Sequence, residues 1–199
     1  MVLENTRPLL IALFAGMLAI ANVAAVKVVT FAGLSITAGV VPIAVAYLIS
    51  DIAVERHGEE FGHKLVWAGA ASLISVIAIS QAVIALPGSS PVDDVLGASL
   101  PILLASILTI IAAQHGDVAL FAIIRDRLPY RATRNIGSTT VSQLFDTSLF
   151  SLLAFWILPQ LVGGQSLAID TIITIIATEW AINTGIAIAD TPLFLVDTA

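Results

Sequence analysis

The chain has 199 residues, of which 58% are apolar, 11% charged and none cysteine, with a mean hydropathy of +1.03 and a formal net charge of −6. An ordinary soluble domain carries about 25% charged residues, so a soluble globule is excluded. The lack of cysteine removes disulfides, thiolate chemistry, iron–sulfur clusters and cysteine zinc sites. Three scattered His residues make a poor metal site, so no metal or cofactor is expected. Nucleic acid is an equally poor partner for an acidic chain whose one basic cluster lies in a short loop.

A helix needs about 20 apolar residues to cross a bilayer. Apolar windows fall near 8–29, 39–54, 65–86, 99–124, 137–162 and 167–196. The expected fold is therefore all-α: a polytopic membrane protein, a six-transmembrane-helix bundle forming one domain over 1–199 with the lipid bilayer as its partner. Breaks are marked by Ala32-Gly33, the charged stretch Glu55 to Lys64, Pro87-Gly88-Ser89-Ser90-Pro91, the run Arg125 to Arg134, and Gly163-Gly164. Ala19-Ile20-Ala21 looks like a signal cleavage site, but the segment before the apolar run has no net charge and that run continues to Val26, which favours a span. Arg7, Arg56, Lys64, Arg125, Arg127, Arg131 and Arg134 fall on one side of such a bundle, and positive-inside places both termini in the cytoplasm.

Charged groups at membrane depth cost at least about 2.5 kcal/mol each, and those present face a bundle interior or a water-filled cavity. Lys27, Asp51, Asp117, Asp146, Glu179 and Asp190 lie in or at the ends of spans, with Asn22, Gln81, Gln114, His115, Gln143 and Asn183. Gln114-x-x-Asp117-x-x-Leu120-Phe121 on span four repeats as Gln143-x-x-Asp146-x-x-Leu149-Phe150 on span five. Positions i, i+3 and i+7 share a helix face, so each span carries an amide, a carboxylate and a phenyl ring in one stripe, and Thr147 adds a hydroxyl. Asp117 lies eight residues before Arg125 and Asp146 eleven after Asn135, which puts the motifs at similar depth on antiparallel neighbours. Two readings fit. The amides and carboxylates glue helices together, or the two stripes face each other across a site for a planar heteroaromatic ligand. A guanine-like base suits the second: one carboxylate accepts from the ring N–H and the exocyclic amine while an amide satisfies the neighbouring carbonyl and ring nitrogen. His115 points about 100° away from Gln114 and reads as a packing residue rather than a proton relay. Small-x-x-x-small pairs in span one, such as Ala12/Gly16 and Ala15/Ala19, allow close helix approach or a docking face.

The motifs together resemble the queuosine precursor transporters, also called the vitamin uptake transporter family. The resemblance is carried by Ala21-Asn22 with Lys27; Pro42 and Asp51-Ile52-x-x-Glu55-x-x-Gly58; Gln81; Ala105-Ser106 followed by Gln114-x-x-Asp117-x-x-x-Phe121; Arg134-Asn135-x-x-Ser138-x-x-x-x-Gln143-Leu144-x-Asp146-Thr147-x-x-Phe150 with Ala154-Phe155; and Asp190-Thr191-Pro192. It implies a six-helix transporter of the cytoplasmic (inner) membrane that imports 7-deazaguanine precursors of a modified tRNA nucleoside, chiefly the 7-cyano and 7-aminomethyl compounds. The chain departs from the family pattern at His57, where a Tyr is usual, at Pro101, where an Arg is expected, and at Asn183, where a Lys is common.

The leading reading is a secondary transporter in which Asn22, Gln81, Gln114, Asp117, Gln143, Asp146, Phe121 and Phe150 bind substrate in a central site open alternately to each side. Asp51, Arg134, Asn135, Glu179, Asn183 and Asp190 are its candidates for coupling or gating. The alternative is a substrate-binding subunit of a larger uptake complex, energised by a separate ATPase module. An intramembrane enzyme is disfavoured, because no HExxH, Ser-Lys or Asp-Gly-type catalytic pairing occurs. A six-helix chain leaves a homodimer open.

Overall fold

The computed structural model describes residues 6–31, 34–114, 131–161 and 166–197, and the side chains of 6–30, 34–112, 140–161 and 166–185. In chain order these form α1 (Arg7–Ala25), a hairpin of β1 (Val28–Phe31) and β2 (Leu34–Thr37), α2 (Val40–His57), α3 (Glu59–Ile84) and α4 (Pro91–Thr109). A π turn (Ile110–Gln114) ends the α4 rod. Then come α5 (Arg131–Leu152), a second π turn (Leu153–Ile157), the short α6 (Leu158–Leu161) and α7 (Ile169–Asp197). Among the described residues, four helical stretches are long and apolar enough to cross a membrane: Arg7–Ala25, Glu59–Ile84, Pro91–Ala112 and Thr140–Leu161. α2 carries Asp51, Glu55 and Arg56 in its second half, and its apolar run is shorter.

The first difference from expectation lies between α1 and α2. An apolar run to residue 29 suggests one continuous helix, yet α1 stops at Ala25 and the chain turns into an antiparallel pair with Val28 opposite Thr37 and Phe31 opposite Leu34. The local chemistry explains it. Val28-Val29-Thr30-Phe31 and Leu34-Ser35-Ile36-Thr37 are rich in β-branched and aromatic residues, which prefer extended backbone, and they flank two small residues, a hairpin spacing. Lys27 stands exposed at the base of the hairpin, where its carbonyl accepts from the Ala38 N–H at 2.8 Å.

The α2–α3 corner turns on one residue. Gly58 has φ 84° and ψ 169°, a region open almost only to glycine, so α2 ends and α3 starts within a single residue. The N-terminus of α1 docks on this corner. The Thr6 hydroxyl lies 2.9 Å from His57 Nε2, and the Arg7 guanidinium sits 5.5 Å over the Phe61 ring, which itself packs edge-on to His57 at 5.0 Å. His57 lies beyond the expected end of the second span. Its burial, then the charges of Arg7 and Arg56, lower its pKa from the usual histidine value. At the other end of the α3–α4 connection, Asp93 proves to be structural. Its Oδ2 accepts from the Ser90 N–H at 2.8 Å while Ser90 Oγ accepts from Val92 N, a capping box that starts α4 at Pro91.

α1 packs against α2, α3 and α4; α5 packs along α7; and α7 also contacts α2 and β2. Phe14, Leu18, Leu65, Leu73 and Leu103 anchor one apolar core among α1 to α4, and Ala105, Ala154, Phe155 and Ile172 a second among α4, the π turn after α5 and α7. Outward, Ile20, Val41, Trp67, Ile74, Ile79, Phe145 and Ile173 are exposed, the apolar exterior that a lipid solvent requires. α1 and the start of α2 come close because Gly39 has no side chain. A Cβ there would fall 2.5 Å from Ala21 O and 3.2 Å from Ala25 Cβ. Gly39→Ala should therefore push α2 off α1 at a cost of about 1–3 kcal/mol, read as a lower unfolding midpoint in detergent; an unchanged midpoint would show that this approach is not tight.

Candidate substrate cavity

The packing of α1, β2, α2, α4, α5 and α7 leaves a cavity of about 70 Å³ at the centre of the molecule. Its polar lining comes from six elements: Asn22 of α1, Thr37 of β2, Tyr47 of α2, Ser106 and Thr109 of α4, Asp146 and Thr147 of α5, and Glu179 and Asn183 of α7. Phe14 and Phe150 supply aromatic walls, and small residues, Ala21, Ala25, Gly39 and Ala46, keep the space open.

Helical spacing places these groups. Asp146 and Phe150 are four apart on α5, as Glu179 and Asn183 are on α7, so each helix turns one carboxyl and one partner to the same face. α7 is fixed against α5 by Trp180, whose Nε1 donates to Thr140 O at 2.9 Å. Phe150 is set by an edge-on contact with Phe155, 5.9 Å between centroids. Asn22 donates from Nδ2 to Leu18 O one turn earlier, at 2.9 Å.

Glu179 is held from the hairpin. The Ala38 N–H bond to Lys27 O makes Val28 and Thr37 a pair that exchanges no hydrogen bonds, so the Thr37 N–H points away from β1. It donates to Glu179 Oε1 at 2.7 Å, in buried surroundings. A bond of this kind both orients the carboxyl and satisfies an edge amide.

The residues expected to form a site divide into three sets. Asn22, Asp146 and Phe150, expected to bind substrate, line the cavity together with Glu179 and Asn183, expected to couple or gate. Gln143 is 1% exposed with Oε1 unpaired among the described residues, one turn from Asp146 but outside the cavity wall. Asp51 is buried on α2, also outside that wall. Gln81 is exposed in the last turn of α3, a helix that packs on the outer side of α1 and α4 and contributes nothing to the lining. Gln114 ends the π turn and Arg134, Asn135 and Asp190 lie on α5 and α7, but their side chains are outside the described residues, as are Asp117 and Phe121 altogether. Thr37, Tyr47 and Thr109 were not expected in the site; the first depends on a hairpin, and the others are single polar atoms in apolar helices. Among the described residues no group of three His, Asp or Glu side chains is placed to hold a metal.

The family model described as "Putative vitamin uptake transporter" matches residues 37–196. The chain belongs to this family. It is also 35% identical over 146 residues to a protein of Bacillus subtilis (strain 168) named "Probable queuosine precursor transporter", a match covering 68% of this chain and 63% of that one, so the chain spans less than two thirds of the relative's length. No solved structure matches it. Family and apolar helices together make this a multi-pass membrane protein of a transporter family. The cavity wall carries a direct test. Glu179→Leu should strip the Thr37 amide of its acceptor, lowering stability by about 1–3 kcal/mol and speeding exchange of that amide, whereas Glu179→Gln keeps an acceptor oxygen; equal exchange in the two variants would show that the bond does not hold the hairpin.

Proposed function

We propose that the protein imports queuosine precursors, 7-cyano- and 7-aminomethyl-7-deazaguanine, across the cytoplasmic membrane as a six-helix bundle with both termini in the cytoplasm. The observation that carries the reading is the turn Asp146, Thr147 and Phe150 facing a central cavity with Asn22. A guanine-type edge presents a ring N–H and an exocyclic amine side by side, and a single carboxylate accepts from both. Asp146 plays that part. The Phe150 ring offers a face to the base, and Asn22, Ser106 and Thr147 offer donors and acceptors for the ring carbonyl and nitrogen. The family match and the name of the Bacillus relative support the substrate class.

A site at the meeting of α1, α2, α4, α5 and α7 can open to either side by a shift of one helix group against another, the usual logic of alternating access. The motif residues Gln114, Asp117 and Phe121, and beneath the wall Gln143, belong to the same reading on the strength of their spacing. Gln81 is left out, because α3 stays clear of the cavity.

In cells lacking both synthesis and uptake of these compounds, the wild-type protein should accumulate them, measured by mass spectrometry. Asp146→Asn removes a charged acceptor worth about 1.5–3 kcal/mol, so uptake should fall tenfold or more. Wild-type protein that is inserted and imports neither compound would overturn the reading.

A further inference from the structure

The cavity is unbalanced in its hydrogen-bonding chemistry. Of its lining side chains, Asp146 and Glu179 are acidic and none is Lys, Arg or His, among the described residues. Two further lining atoms are orphaned. Asn183 Oδ1 and Thr109 Oγ1 are buried, their residues each 3% exposed, with no hydrogen-bond partner among the described residues. Buried polar atoms are nearly always paired, so orphans on residues that border a cavity are where a ligand or a water would supply the partner. Asn183 lies one turn beyond Glu179 on the same face of α7, and the Thr37 N–H fixes the Glu179 carboxyl in position by holding its Oε1. This part of the cavity thus holds a carboxyl, an amide oxygen and a hydroxyl, with no Lys, Arg or His side chain among the described lining residues.

We propose, resting on the transporter reading above, that Glu179 and Asn183 form an ammonium-binding subsite, so that the protein selects a deazapurine bearing a protonated amine over its neutral analogues. A primary alkylamine is charged at neutral pH and brings three donors. Glu179 and Asn183 Oδ1 take two of them, and Thr109 Oγ1 lies in the same cavity for the third. Asp146 is left to read the base edge, which a single carboxylate cannot do while also binding the amine. A cyano substituent carries only an acceptor. Set against Glu179 and Asn183 Oδ1, it would bring no donor to Asn183 Oδ1 or to the Glu179 oxygen that the Thr37 N–H does not hold. The aromatic walls Phe14 and Phe150 suit an organic cation, whose planar ring can lie against them as well as its charge.

The test measures binding to the full chain in lipid nanodiscs with three probes: 7-aminomethyl-, 7-hydroxymethyl- and 7-cyano-7-deazaguanine. The first two are nearly the same size and differ by the charge. The wild type should bind the aminomethyl compound at least tenfold tighter than either neutral one. Glu179→Gln keeps an acceptor for the Thr37 N–H and should bring that ratio close to one. Equal affinity for the three probes in wild type overturns the subsite and leaves the transporter reading standing, whereas binding of none overturns both. A Glu179→Gln variant that weakens all three in proportion assigns Glu179 a structural part only and overturns the subsite. So does a wild type whose binding rises with sodium concentration equally for all three.

Discussion

The hydrogen bond from the Thr37 N–H to Glu179 holds the architecture of the cavity together. A hairpin placed between membrane helices has an open edge, and in surroundings without water an edge amide must find an acceptor in the protein. Here the acceptor is a carboxyl 142 residues away in sequence. Meeting that one demand draws α7 against β2, and it is α7 that brings Glu179 and Asn183 to a space otherwise walled by α1, β2, α2, α4 and α5. The same bond fixes the orientation of a buried carboxyl. Without it the cavity would have an unsatisfied amide on one side and a loose carboxyl on the other.

The remaining walls follow from small side chains. Ala21, Ala25, Gly39 and Ala46 let α1 and α2 approach while leaving room beside them, and Ser106, Thr109 and Thr147 place hydroxyls without bulk. Two π turns flank this region, after α4 and after α5, and such local widening of a helix is frequent at functional sites. Apolar packing backs this wall: Phe14 and Leu18 line the cavity and also belong to the core that continues through Leu65 and Leu73. Core and cavity thus share a wall on α1, and the cost of the unpaired polar groups beside it is offset by the apolar packing of that core.

Hydropathy revealed the long helices, because nothing except a membrane span needs so many apolar residues in a row. The carboxyls of α5 and α7 were visible for the complementary reason, that such a group is costly in an apolar helix: Asp146 and Glu179 both line the cavity. The hairpin was hidden by the same hydropathy. Val28 to Thr37 is as apolar as a helix end, and its β-branched character was the only sign of extended backbone. Thr37 could not have been found, since it acts through its backbone N–H and its side-chain type says nothing of that. Gln81 stood out in the same way, yet a polar residue near the end of a span can simply face outward, and at the end of α3 it is exposed. Asp93, which carried no expectation, turned out to be half of a capping box.

The central claim is that the space between Asn22, Asp146 and Glu179 is where substrate sits. The absence of cysteine from the chain allows a clean probe. Ser106→Cys places one thiol in the cavity wall and Ser89→Cys places one in the exposed α3–α4 connection. Labelling of each by a small maleimide, with and without 7-aminomethyl-7-deazaguanine, should show protection at position 106 and none at 89. Labelling at 106 that proceeds at the same rate with saturating substrate, in protein that still transports it, would contradict the account.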